Sequence, residues 1–149
     1  MTVESLWGEL PETDLRRGPK QILQEQAMLL GDATKNILEG SVQSSIGDFQ
    51  NTITLRLSIV AKLLGNYRFE VLTATYDPVK LYPVDLLGYD TENVRHVKDE
   101  SGLKNELKRI FQSKQVRAAI SALLRQCKDE ESSSPNKAIL SSLKRRTIR

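Results

Sequence analysis

Residues able to do acid–base, nucleophilic or metal chemistry are few in this chain. It holds one histidine, His96, and one cysteine, Cys127. His96 lies beside Arg95 and close to Lys98, where a short strand is expected, and it reads as a surface or edge-strand histidine. Cys127 follows Leu123 and Leu124 at the end of a helical pattern. A nucleophilic thiol needs an activating base and an exposed site. Nothing in the sequence pairs Cys127 with His96, so the thiol reads as a packing residue or an inert surface group. One imidazole and one thiol cannot supply a structural zinc site, which needs several such ligands.

Carboxylates remain. Glu70, Asp77 and Asp85 fall on neighbouring strands or their connections, with Lys80 nearby. Two acids and a lysine on a hairpin are the parts of a metal-dependent nuclease, in which the acids hold the ion and the lysine orients a water. Here Asp77-Pro78-Val79-Lys80 is a turn rather than an acid-x-Lys strand, so the set reads as solvated charge, with an all-carboxylate magnesium site left open. Phosphate cradles are missing too. Leu64-Gly65-Asn66 has one glycine, and Gly88-Tyr89 ends a strand instead of opening a helix. No Gly-x-Ser-x-Gly elbow occurs. The expectation is therefore no catalytic residue, no cofactor and no metal ion.

Charge is distributed unevenly. The net charge is +3, yet Lys137, Lys144, Arg145, Arg146 and Arg149 after Pro135 supply +5 without an acid, which leaves −2 for residues 1–134. The basic balance belongs to the tail, not to the domain. Lys137 and the cluster Lys144-Arg145-Arg146 flank Ala138, Ile139, Leu140 and Leu143, so the tail is a candidate contact for an acidic partner, a nucleic-acid backbone or an anionic membrane surface. It has no aromatic residue for base stacking, which argues against sequence-specific single-strand binding. The opening MTVESLWGELPETD is acidic and unlike a signal peptide. No apolar run approaches the roughly 20 residues that span a bilayer, and a lone thiol fits a reducing compartment. A soluble, cytoplasmic protein is the expectation.

The elements that must position these residues follow from apolar periodicity. Residues 1–18 read as an arm, with Leu6, Trp7 and Leu10 its large apolar groups. A helix is expected from Pro19, since proline suits the first helical position. Leu23, Ala27, Leu30, Thr34 and Ile37 recur at helical steps, which carries the helix to about Gly40. Gly31 within it suggests a close approach by a neighbouring element. Alternation of Ile53, Leu55, Leu57, Ile59, Ala61 and Leu63 with polar residues predicts a strand. Leu64-Gly65-Asn66 predicts a turn into a second strand, from Tyr67 to about Tyr76. Residues 81–87 read as a third strand, placed at a sheet edge because Pro83 has no N–H to donate. Asn93 to Val97 suggests a short fourth.

Two helices follow. Leu103, Leu107, Ile110 and Phe111 form one stripe, with Asp99 or Ser101 to cap it. Val116, Ala119, Ile120, Leu123 and Leu124 form the next, capped by Ser113. Asp129 to Pro135 reads as a solvated linker. The division is arm 1–18, α+β domain 19–128, and linker with basic tail 129–149. The fold class is α+β: an N-terminal helix, a three- or four-stranded antiparallel sheet, two C-terminal helices and a basic tail.

This order is similar, in topology alone, to that of double-stranded-RNA-binding domains. Their lysine cluster at the helix after the sheet is replaced here by Lys98-Asp99-Glu100-Ser101-Gly102-Leu103, whose acids would repel phosphate.

The expected function is a non-enzymatic protein-interaction or accessory module that self-associates. The alternative is a nucleic-acid-binding accessory protein acting through the tail. Self-association is expected through Leu23, Leu30 and Ile37 or through the sheet edge. Val60 and Leu64, at otherwise polar positions, suggest cover for the outer sheet face by a second copy. If the tail binds nucleic acid, affinity should fall steeply with added salt, because each phosphate contact releases counterions. Removing residues 135–149 should abolish that binding and leave the circular dichroism spectrum unchanged; binding retained by the truncated chain would exclude the tail.

Overall fold

The computed structural model describes residues 3–47 and 51–131. Among them lie three α-helices and one five-stranded antiparallel sheet. In chain order they are α1 (Pro19–Ala33), β1 (Leu38–Ile46), β2 (Ile53–Ala61), β3 (Tyr67–Tyr76), β4 (Val84–Gly88), β5 (Arg95–Val97), α2 (Glu100–Phe111) and α3 (Lys114–Glu131). The strands are adjacent in that same order, so the sheet is a simple meander. The α+β class is as read from the sequence, with five strands where three or four were expected.

The extra strand comes from the predicted helix. α1 stops at Ala33 rather than near Gly40, and the chain reverses through Lys35 and Asn36, both left-handed at φ 53° and 63°. Thr34 sits at the break. Its hydroxyl lies 3.0 Å from the Leu30 carbonyl and 2.9 Å from the Leu38 carbonyl, and it accepts the Leu38 N–H at 3.1 Å. A threonine that satisfies backbone groups on both sides of a turn stabilises the turn over the helix. Leu38 then begins β1, whose inward positions are Leu38, Gly40, Val42, Ser44 and Ile46. Glycine and serine dilute that alternation, so it is weak in the sequence.

The hairpin of β2 and β3 forms as expected. A 3-10 turn over Lys62–Leu64 leads to Gly65 at φ 67° and Asn66 at φ 60°, positions where a left-handed backbone costs these residues little. Leu55 faces Ala74 and Leu57 faces Leu72; beyond them a bulge shifts the register so that Ser58 faces Glu70 and both Val71 and Leu72 are buried. Leu64 belongs to the 3-10 turn and packs against the core, so it is not part of the outer sheet face. β4 begins at Val84, after Pro83, and lies between β3 and β5. The expected edge position was wrong: Pro83 stands outside the ladder and costs it no donor.

All three helices cover one face of the sheet. Ala27 of α1 rests on Gly40, where a Cβ would come within 2.4 Å of the Ala27 Cα. Ile110 of α2 rests on Gly88, where a Cβ would come within 2.7 Å of its side chain. The close approach expected at Gly31 is to its own turn, with Asn36 Oδ1 as the nearest atom. Asp99 caps α2 by accepting the Gly102 N–H at 2.8 Å, and the Ser113 hydroxyl accepts the Val116 N–H at 3.3 Å at the start of α3. α3 continues through residues 129–131, beyond the expected start of the linker at Asp129.

Replacing Gly40 by alanine should destabilise the domain by about 1–3 kcal/mol, since the new methyl would overlap the α1 backbone. Urea unfolding measures this; an unchanged midpoint would show that α1 does not rest on β1 there.

Candidate functional site

The carboxylates considered for a metal site are held apart. Glu70 lies within β3, where it accepts the Thr73 hydroxyl at 2.8 Å and sits 3.8 Å from Arg56 Nε. Asp77 follows β3 and accepts the Val79 N–H at 2.8 Å, closing the turn. Asp85 is on β4, opposite Thr75. Thr75 stands five positions beyond Glu70, about 16 Å along a strand, so Glu70 and Asp85 cannot share one ion. Among the described residues no group of three His, Cys, Asp or Glu could hold a metal ion.

Asp85 has a different partner. His96 stands opposite it on β5, with Nδ1 hydrogen-bonded to the Asp85 carboxylate. An aspartate that orients a histidine is two-thirds of a nucleophilic triad. The pair ends a polar row that crosses every strand: Ser45, Thr54, Thr75, Asp85 and His96. The neighbouring hydroxyls do not complete it, because Thr75 and Thr54 bond each other at 3.4 Å. The His96 side chain is 75% exposed, so the site offers no dry pocket in which an oxyanion could be stabilised. Arg56, Arg68 and Glu70 are exposed on the same outer face, which is open and polar.

Cys127 lies on the opposite side of the sheet, fully buried in α3. Burial pushes its thiol pKa up, and Glu131 and Glu130 add to the shift. The neutral form therefore prevails at pH 7, which is the reverse of an activated nucleophile.

The sites expected for self-association divide. Leu23 has no exposed surface; Leu30 and Ile37 are half-buried and pack against the core. Ile37 lies beyond α1, so the three do not form one helix stripe. On α1 the exposed apolar side chains are instead Met28 and Leu29. The sheet edge is more open. Among the described residues β1 pairs only with β2, and it presents nine residues along its other side. Within β1, Glu39 is the single charged residue, and it pairs with Lys62 at 2.9 Å. The tail cations Lys137, Lys144, Arg145, Arg146 and Arg149 lie outside the described residues.

Two features escaped the sequence reading. Asp90, its side chain 8% exposed, is ion-paired with Arg109 of α2 and ties that helix to the loop after β4. Glu106 accepts the Arg109 Nε–H at 2.8 Å, and these two acids hold the Arg109 pKa up. The second is a cationic stripe on α3. Lys114, Arg117, Ser121, Arg125 and Lys128 are all exposed and follow steps of three, four, four and three. That spacing puts them on one side of the helix, over about 21 Å. The same arithmetic that found the apolar stripe would have found it. Beside its C-terminal half runs a groove of about 290 Å3 lined by Ile37, Ser121, Leu124, Arg125 and Lys128.

Cys127 should react slowly with a thiol-specific disulfide reagent at pH 8 in the native protein and rapidly in denaturant. Fast native reaction would mean that the thiol is neither buried nor held neutral. None of the known protein-family models, curated proteins or solved structures matches this chain.

Proposed function

We propose that the chain is a non-enzymatic interaction module that self-associates, with the free edge of β1 as the meeting surface. The observation that carries this is the character of that edge. Exposed edges are ordinarily blunted by lysine, proline or a bulge, because their unpaired N–H and C=O groups accept another strand. β1 runs for nine residues with neither lysine nor proline.

Self-pairing is also electrostatically permitted. An antiparallel pair centred on Val42 sets Glu39 against Ser45, Gly40 against Ser44 and Ser41 against Gln43 of the other copy. No like charges meet. The result would be a symmetric dimer, the commonest closed assembly. A cytoplasmic location accords with the lone, buried thiol, and no helix among the described residues is long and apolar enough to cross a membrane.

A second reading, an accessory protein bound to a nucleic-acid backbone, is favoured by the α3 stripe, which adds four exposed cations to those of the tail. Backbone binding needs only such charge.

Sedimentation of the full chain across the micromolar range tests the first reading. A dimer is expected, and Ser41→Lys/Gln43→Lys should raise its dissociation constant by about tenfold or more, because the new lysines oppose each other across the pair. A monomer at every concentration would refute self-association, and a dimer indifferent to the lysines would refute the β1 edge.

A further inference from the structure

The arm preceding α1 is the most exposed apolar segment among the described residues. Leu6 is 90% exposed, Trp7 82% and Leu10 69%. Large apolar groups left in water at this density mark a contact surface. The arm is also strongly acidic. Glu4, Glu9, Glu12 and Asp14 fall within residues 3–15 without a cation among them. Asp14 is bonded to Arg16, which lowers its pKa to about 2.

Its root is fixed. The Tyr82 hydroxyl donates to the Arg17 carbonyl at 2.7 Å, and the Arg17 N–H donates to Glu100 at 3.2 Å. Beyond that root none of the described residues covers Leu6, Trp7 or Leu10.

The groove beside α3 has the complementary chemistry. Its floor is Ile37 and Leu124, and its rim is Ser121, Arg125 and Lys128. Lys114 and Arg117 extend the positive charge along the same side. Of these four cations only Arg125 has an ion-pair partner among the described residues, Asp129 at 3.7 Å. An apolar cavity of roughly 150 Å3 holds a benzene ring, so a groove of about 290 Å3 has room for an indole.

Charge selects the occupant. The chain's two extensions carry opposite signs, and the tail, at +5, is repelled by this rim. Exposure favours a second copy over the same chain. The arm is long enough to span the roughly 20 Å of α1 to its own groove, yet Leu6, Trp7 and Leu10 stand in solvent and leave that groove unfilled.

We propose that the acidic, apolar arm of a second copy seats Trp7 and Leu10 in the groove between Ile37 and Leu124, with its carboxylates against Arg125, Lys128 and the stripe that continues from them. This rests on the self-association reading and adds to it a reciprocal contact: each copy gives an arm and receives one. Apolar seating supplies the affinity, and the opposed charges fix register and exclude the cationic tail.

Trp7 is the single tryptophan, so its emission reports the arm directly. The full chain is diluted across its dissociation range while mass and Trp7 emission are followed together. The emission should shift to the blue as the dimer forms. Arg125→Glu/Lys128→Glu, at two exposed positions, should lose that shift with an unchanged circular dichroism spectrum. The shift should return when this variant is mixed with a Glu9→Lys/Glu12→Lys chain, since each arm then meets a groove of opposite sign. A dimer whose Trp7 emission stays solvent-like overturns the docking and leaves self-association standing. A monomer with solvent-like Trp7 at all concentrations overturns both. A blue shift in a monomer assigns the groove to the chain's own arm and overturns the exchange. If the glutamate variant keeps the shift but loses binding to a labelled oligonucleotide, the stripe serves nucleic acid and the proposal fails.

Discussion

Two glycines on the inner face of the sheet set the distance between its layers. At Gly40 the backbone of β1 meets Ala27, and at Gly88 the backbone of β4 meets Ile110. Neither site has room for a methyl group, so α1 and α2 lie directly on the strands they cross. Close packing of this kind transmits position. It seats α2 on the second-last strand while Asp90 holds Arg109 from the side, and it leaves α3 to close over β2 and β3 with Val116, Ile120 and Leu123. The groove beside Leu124 exists because α3 is placed by that chain of contacts.

The Asp90–Arg109 pair shows what polar groups do in this fold. Asp90 is almost wholly desolvated, and one oxygen of it and one nitrogen of Arg109 have no hydrogen-bond partner among the described residues. Such a pair contributes little net stability against apolar residues of the same size, yet breaking it strands a charge. It joins α2 to the loop after β4. The Asp85–His96 pair, by contrast, is open to water and screened, and it decorates a face that the helices never cover.

Charge is sorted by location. The arm is acidic, the exposed side of α3 is basic, the tail is basic, and the outer sheet face mixes both signs. Segregation of this kind does little for folding, where exposed pairs count for a few tenths of a kcal/mol. It governs which surfaces can approach each other. The histidine and the cysteine lie on opposite sides of the sheet.

Elements with strong local signals were legible in the sequence. Alternation from Ile53 to Ala61, a glycine–asparagine turn, and caps at Asp99 and Ser113 specify β2, β3, α2 and α3 without help from distant residues. Local preference failed where one residue served two geometries. Thr34 and Ile37 fit a helical stripe, but the Thr34 hydroxyl bonds across a turn that leads into β1, and β1 is paired along its length by β2. Pro83 suggested an edge, though it lies before the strand and takes nothing from the ladder. The sequence reading found an acidic arm and no phosphate-cradle or nucleophile-elbow motif; it missed the cationic stripe on α3, although residue spacing encodes it. Only the tertiary structure decided that Leu23 is core, that Gly40 rather than Gly31 is the contact point, and that Ile37 and Leu124 share a groove. Those facts depend on pairs far apart in the chain, and no periodicity within one segment encodes which partner a side chain will meet.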